Sequence, residues 1–340
     1  MKTKTKNNLL LAGAGLGALF ALRTISRRRH EFSFKDRTVL ITGGSRGLGL
    51  VLARMFAEQG AKIAICSRTQ EQLDAACQEL KSGGATVMAF NCDVSSQTQV
   101  KRMIKEIKET LGPVEVLINN AGVISAGPLE EMTVADFEEA MKIHYWAPLY
   151  TMLEVMPEMK ARGEGRIVNI ASIGGKVSVP HLLPYSGSKF ALVGLSEGFR
   201  SELLQHGVHV TTINPGLMRT GSARNAFVKG QNEKEYAWFA IADANPIISL
   251  AADDAARQIM NACRYGEAEA TLGLNAKFAS WVHGLFPGLV TDVFSLLNQF
   301  LPGPGGIGEE RVRGYESESE ITQSPLTAPL RKAERANNEL

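Results

Sequence analysis

From Thr38 onward, short runs of β-branched and apolar residues alternate with longer amphipathic stretches. Short apolar runs bounded by turn residues mark strands, and apolar positions recurring every three to four residues mark helices. Strands are predicted over 38–42, 62–66, 86–90, 114–118, 166–171 and 208–214. Helices are predicted over 48–59, 70–80, 97–111, 134–160 and 184–205. The strands are almost continuously apolar, as in Val39-Leu40-Ile41, which suits a sheet covered on both faces. Strands alternating with helices of ten or more residues imply right-handed crossovers and a mostly parallel sheet. The predicted fold class is therefore α/β, in three layers.

After Pro215 the pattern loosens. Residues 220–245 are polar with aromatic insertions at Phe227, Tyr236, Trp238 and Phe239. A helix over 253–265 and a last short strand over 270–272 follow. Residues 276–301 are strongly apolar, with Phe278, Trp281, Phe286 and Phe294, and Pro287-Gly288 divides them into two short helices. From Pro302 the chain is rich in Gly and Pro, then charged, a composition that predicts a disordered tail over 302–340. The expected organisation is an N-terminal segment 1–30, a main domain 36–273, an apolar helical extension 274–301 and the tail. No internal repeat is present.

Charge changes the picture at one end. Residues 1–37 hold nine Lys or Arg against Glu31 and Asp36, a local +7, so the remainder carries −5 of the net +2. A basic terminus on a mildly acidic body argues against a nucleic-acid-binding domain. Between Lys6 and Arg23, Leu9–Leu22 is uncharged. That run is shorter than the ~20 residues of a membrane helix. Counting from Asn7 to Ser26 makes up the length, because Arg23 can snorkel to the headgroups. The segment is expected to be an uncleaved membrane anchor; a cleaved signal and a surface-lying helix are the alternatives. Arg27, Arg28 and Arg29 then place the body on the cytoplasmic side. The G-x-G-x-G string at Gly13, Gly15 and Gly17 follows no strand and is not read as a nucleotide site. Cys66, Cys77, Cys92 and Cys263 fit neither zinc spacing nor a disulfide framework and read as buried thiols.

The chemistry begins where the first strand ends, at Thr42-Gly43-Gly44-Ser45-Arg46-Gly47-Leu48-Gly49. A glycine-rich turn leading into a helix offers free backbone N–H groups and a positive dipole end to a pyrophosphate. The second strand ends at Cys66-Ser67-Arg68, where an NAD site usually carries an acid for the ribose 2′-hydroxyl. Here Arg68 stands instead, and Arg46 lies in the turn. Two guanidiniums suit a 2′-phosphate, so NADP(H) is expected over NAD(H). The third and fourth strands deliver Asp93-Val94 and Asn120-Ala121-Gly122 to the same sheet edge, although Asp93 could equally cap the turn after it.

Tyr185 and Lys189 are four apart on a predicted helix and share a face. A phenol with a pKa near ~10 is a poor base at neutral pH, and a nearby ammonium would lower that value. Tyr185 would then exchange the proton while a hydride moves. Ser172, at the end of the strand before, could hold the substrate oxygen.

In this order, T-G-G-S-R-G-L-G at 42–49, N-N-A-G at 119–122, Ser172, Y-S-G-S-K at 185–189 and N-P-G-L-M-R-T at 214–220 resemble the short-chain dehydrogenases/reductases over roughly residues 36–273. The resemblance implies a Rossmann-type domain with a seven-stranded sheet. It implies a carbonyl/alcohol oxidoreductase with Tyr185 as acid/base and Lys189 also holding the nicotinamide ribose. Asp93 and Val94 would lie near the adenine, Asn120 to Gly122 would line the cofactor channel, and Pro215, Gly216 and Thr220 would meet the nicotinamide. One position departs: His144 stands where the family usually has an active-site Asn. Imidazole, with a pKa near ~6.5, could replace that Asn in a proton relay, or simply pack in a kinked helix. The aromatics of 217–245 and 278–300 suggest an apolar, lipid-like substrate, with plain core or a homo-oligomer contact as the bland alternatives. A non-catalytic cofactor-binding sensor or scaffold at a membrane is the competing class.

Overall fold

The structure, a computed structural model, describes residues 31–340. The expected anchor, with its glycine string, lies outside the described residues. Among the described residues no helix is long and apolar enough to cross a membrane.

The alternating pattern folds as read. In chain order the elements are β1 (Thr38–Thr42), α1 (Gly47–Glu58), β2 (Lys62–Ser67), α2 (Gln70–Ser82), β3 (Val87–Asn91), α3 (Gln97–Thr110) and β4 (Val114–Asn119). A two-residue strand β5 (Ser125–Ala126), α4 (Val134–Met141), a π-helical segment (Lys142–Trp146), α5 (Ala147–Arg162), β6 (Gly165–Ile170), α6 (Leu183–Leu203) and β7 (Val208–Pro215) follow. Then come β8 (Met218–Arg219), β9 (Phe227–Val228), α7 (Asn232–Ala244), β10 (Leu250–Ala251), α8 (Ala252–Arg264), β11 (Glu269–Leu272), α9 (Leu274–Leu285), α10 (Pro287–Asn298), β12 (Val312–Arg313) and α11 (Ala328–Ala336).

Seven strands form one sheet in the order β11-β7-β6-β4-β1-β2-β3, and every pairing in it is parallel. Alternate side chains of β1 serve opposite layers: Val39 and Ile41 pack toward Leu50, Phe56 and Ile259, and Leu40 packs toward Met103, Leu117 and Val155. Both faces are thus covered, which is why the strands carry no polar alternation. The strand order reverses between β1 and β4, so the carboxyl edge opens into a crevice there, the usual ligand position in such sheets.

Two expectations need correction. The helix expected over 134–160 is not continuous. Pro148 has no N–H to offer the carbonyl of His144, and the ladder shifts so that the Ala147 N–H reaches the carbonyl of Lys142, five residues back. The tail expected to be disordered is folded onto the body. β12 pairs antiparallel with β9, and α11 buries Leu330 in a cluster with Tyr236 and Phe239. A charged composition suggests solvation only when the charges lack partners, and here Arg224 meets Glu318 at 2.6 Å and Arg46 meets Glu339 at 3.0 Å.

Candidate active site

The glycine-rich turn is shaped by two close approaches. Gly43 adopts φ +65°, and a Cβ on it would lie 3.0 Å from the Ala121 Cα. A Cβ on Gly49 would lie 2.1 Å from the Gly43 carbonyl oxygen. Only bare backbone fits both positions. Asn120 clips the turn to the end of β4: its Nδ2 donates to the carbonyls of Thr42 (3.1 Å) and Gly43 (3.2 Å). The Thr42 hydroxyl returns the tie by accepting from the backbone N–H groups of Asn120 and Ala121.

One cleft at the carboxyl edge gathers the residues singled out in the sequence. Gly43, Ser45, Arg46, Gly47, Leu48 and Arg68 line its turn end. Asp93, Val94, Asn120, Ala121 and Gly122 line its floor. Ser172, Tyr185, Lys189, His144, Pro215, Gly216 and Thr220 line the far end. Gly49 does not line it; it lies beneath the turn against Gly43 and Asn120. Asp93 accepts from the Ser95 N–H (2.9 Å) and hydroxyl (2.8 Å), so it does cap its turn.

The residues suit a dinucleotide. Ser45 Oγ is buried without a hydrogen-bond partner among the described residues. A buried hydroxyl left unpaired costs free energy, and a phosphate oxygen at the turn would satisfy it. The glycine cradle would admit the backbone-close approach that a pyrophosphate needs.

At the far end, Pro184 in the first turn of α6 starts the helix that carries Tyr185 and Lys189. Ser172 lies two residues past the end of β6, its Oγ accepting from the Gly174 N–H at 3.0 Å and facing the Tyr185 phenol. Gly174 permits this approach, since a Cβ there would stand 3.2 Å from Tyr185 Cε1. Lys189 is buried, and its Nζ donates to the Ile170 carbonyl at 2.8 Å. Burial pushes the Lys189 ammonium down to about 7. Burial pushes the Tyr185 phenol up, with the Ser172 hydrogen bond opposing. The expected lowering of Tyr185 by a permanent Lys189 charge is therefore not what governs here. Desolvation outweighs it because both groups are enclosed.

His144 sits in the π-helical segment, fully buried. Its Nε2 accepts from the Val123 N–H at 3.1 Å, which leaves the proton on Nδ1 for Ser188 Oγ at 2.7 Å. Ser188 donates in turn to the Tyr185 carbonyl at 2.8 Å. Both ring nitrogens are committed, and burial, with Lys189 nearby, holds the pKa well below the usual value. This geometry makes His144 a neutral tie between the β4–β5 loop and α6, with its ring edge-on to Tyr185 at 5.4 Å. It does not suit a relay, which would need a nitrogen free to change partners.

The aromatics after β7 do not face the cleft. Tyr236 and Phe239 are core with Leu330, and Phe227 is held between the guanidiniums of Arg311 (4.2 Å) and Arg313 (3.8 Å). Phe278, Trp281, Phe286 and Phe300 are exposed, away from the cleft. The apolar lining of the cleft includes instead Val123, Ile124, Ile143, Met218 and Ala226. Arg313, Asn225 and Glu339 also line the cleft and were missed. The helical spacing of Leu326, Leu330 and Ala333 was the one signal in the tail that could have predicted an ordered helix there.

Comparison with known proteins agrees with this geometry. The sequence profile of the family described as short chain dehydrogenase matches residues 37–230. The chain is 33% identical over 292 residues to dehydrogenase/reductase SDR family member 7B of Danio rerio, covering 84% of this chain and 93% of that protein. It is 33% identical over 189 residues to gluconate 5-dehydrogenase of Gluconobacter oxydans, covering 56% of this chain and 74% of that one. Among solved structures, a short-chain dehydrogenase from Streptomyces avermitilis superposes with a TM-score of 0.65 at 25% identity, over 78% of this chain and 95% of that one. L-sorbose reductase from Gluconobacter frateurii, complexed with NADPH and L-sorbose, superposes at 0.63 and 24% identity, over 71% and 97%. The turn, the sheet order and the matched length lead to one conclusion: the chain belongs to the short-chain dehydrogenase/reductase family and is a nicotinamide-dependent oxidoreductase.

Proposed function

We propose that the chain is an NADP(H)-preferring reductase that converts an apolar carbonyl to an alcohol, with Tyr185 as the proton donor. The observation that carries this reading is the enclosed Ser172–Tyr185–Lys189 group on a cleft that also carries Arg46, Arg68 and several aliphatic side chains. A nicotinamide held in this cleft would supply the hydride that a carbonyl carbon receives. Ser172 and Tyr185 hold the substrate oxygen between two hydroxyls. A phenol whose pKa is raised by burial keeps its proton at neutral pH, as a donor to a forming alkoxide must. Lys189, titrating near neutrality, is a proton source beside it, 5.5 Å from the ring centre. Val123, Ile124, Ile143, Met218 and Ala226 in the cleft lining favour an apolar carbonyl; these residues, not the aromatic residues after β7, support the substrate class.

The NADP preference rests on the two guanidiniums. A charge-assisted hydrogen bond to a phosphate contributes ~1.5–3 kcal/mol, a factor of roughly 10–100 in affinity. Arg46→Ala and Arg68→Ala are each expected to raise the KM for NADPH by at least about tenfold and to leave that for NADH within a factor of about two. Steady-state kinetics with both cofactors reads this. An unchanged NADPH:NADH ratio in the double variant would remove the preference from these residues.

We also infer that residues 1–30 anchor the protein to a membrane, on their composition alone. Sedimentation with membranes through a high-salt wash, lost when 1–30 are removed, is the expected result; an equal soluble fraction for both chains contradicts it.

A further inference from the structure

Residues 337–339 lie across the cleft and bond to both of its lips. On the turn side, the Gly47 N–H donates to the Asn337 carbonyl at 2.8 Å, and Arg46 Nη1 donates to Glu339 Oε2 at 3.0 Å. Asn338 Nδ2 donates to the carbonyls of Ser45 (2.9 Å) and Gln72 (3.1 Å). Arg54 in α1 holds the Asn337 side-chain oxygen (3.3 Å) and the Ala336 carbonyl (2.8 Å). On the opposite lip, Asn337 Nδ2 donates to the Thr220 carbonyl at 3.1 Å. Asn225 Nδ2 donates to the Glu339 carboxylate (2.7 Å) and to its carbonyl (2.9 Å).

The groups that this strap takes are those the turn offers an anion. A Cβ on Gly47 would lie 2.5 Å from Glu339 Oε1, so the carboxylate rests directly on the turn. The charged residues lining the cleft are the cations Arg46, Arg68, Lys189 and Arg313 and the acids Asp93 and Glu339. Asp93 is engaged with Ser95. Glu339 is thus the carboxylate that faces the guanidiniums, with a side chain 2% exposed.

We propose that residues 337–339 are an internal competitor for the phosphate end of the cofactor cleft, with Glu339 and the Asn337 carbonyl occupying anion-binding groups that a cofactor must take from them. Cofactor binding and release of the strap are then one linked event. The proposal rests on reading this turn as the site of the cofactor phosphates. The closed strap is held at a cost, since burial and the nearby Glu334 push the Glu339 pKa up against the pull of Arg46 and Asn225. A ligand that replaces the carboxylate with a phosphate returns Glu339 to water and leaves Arg46 paired.

The test is titration of the full chain, Glu339→Gln and a chain lacking 337–340 with NADPH, by nicotinamide fluorescence and calorimetry. Hydrogen exchange over 328–340 is measured with and without NADPH. Removing the strap is expected to tighten NADPH binding about tenfold, within the usual range of coupling between linked sites. Glu339→Gln should move the same way by less, and exchange at 337–339 should rise on NADPH addition. Unchanged or weaker binding in both variants, with the full chain still binding NADPH, overturns the strap and leaves the cofactor reading standing. Failure of all three to bind any nicotinamide nucleotide overturns both.

Discussion

Tyr185→Phe is expected to lower kcat for carbonyl reduction by about three orders of magnitude, within the 10²–10⁴ range for loss of a general acid. NADPH affinity should change less than about twofold, because the phenyl ring preserves the packing against His144 and Gly174. Only the hydroxyl that bonds Ser172 is lost. Single-turnover kinetics with a panel of apolar ketones and aldehydes, alongside a cofactor titration, separates the two effects. Retention of more than about a tenth of the turnover would place the proton donor elsewhere. The same panel on the unaltered chain excludes a non-catalytic sensor if any member is reduced. The pH profile carries a second check. With burial setting Lys189 to about 7, its ammonium is present below that pH and lost above it, so kcat/KM for reduction should fall as pH rises through about 7. The contribution of this group to stability has the opposite sign. A lysine depressed from 10.5 to about 7 binds fewer protons folded than unfolded in that window, so its part of the folding free energy improves as pH rises across it.

Gly49→Ala should be among the most damaging single methyl additions in the main domain. Its Cβ would meet the Gly43 carbonyl oxygen at 2.1 Å and Asn120 Nδ2 at 2.7 Å, both parts of the clip that holds the turn. The Gly43 oxygen is backbone and Asn120 Nδ2 is tied by two hydrogen bonds, so the backbone itself must move. Overpacking of this kind costs about 1–3 kcal/mol and sometimes more; here the upper end is expected, with nicotinamide binding lost as well. Gly187→Ala and Gly198→Ala are the controls. Both lie in α6, with nothing within 4 Å of the added Cβ, and should gain ~0.5–1 kcal/mol from helix propensity. Urea unfolding of the three variants measures this; a Gly49→Ala midpoint equal to the parent would mean that the turn is not so tightly built.

Much of this molecule was legible before folding, because its signals are local. Val39-Leu40-Ile41 announces a doubly covered strand by having no polar alternation. The glycines of 43–49 announce a turn by what they lack. Tyr185 and Lys189 declare a shared helix face through spacing alone. The parallel sheet follows from these alternations, since a crossover helix between strands leaves little other choice.

What the sequence could not decide depends on partners distant along the chain. Its aromatic residues at 236 and 239 looked like a substrate wall and became core, because Leu330 arrives from almost a hundred positions away. The charged tail looked solvated because composition counts charges without seeing Arg46 opposite Glu339. His144 looked free to relay protons until Val123 and Ser188 took both nitrogens. The acid/base balance of Tyr185 and Lys189 was set by enclosure, a property of the packed site and not of the two residues. By itself the sequence determined the sheet, the turn and the pairing of Tyr185 with Lys189 on one helix face, since period, conformational freedom and residue chemistry act over a few positions. Tertiary structure alone decided which charges are neutralised, which proton sites are open and what lies across the cleft, because burial and long-range pairing exist only once the chain has closed on itself.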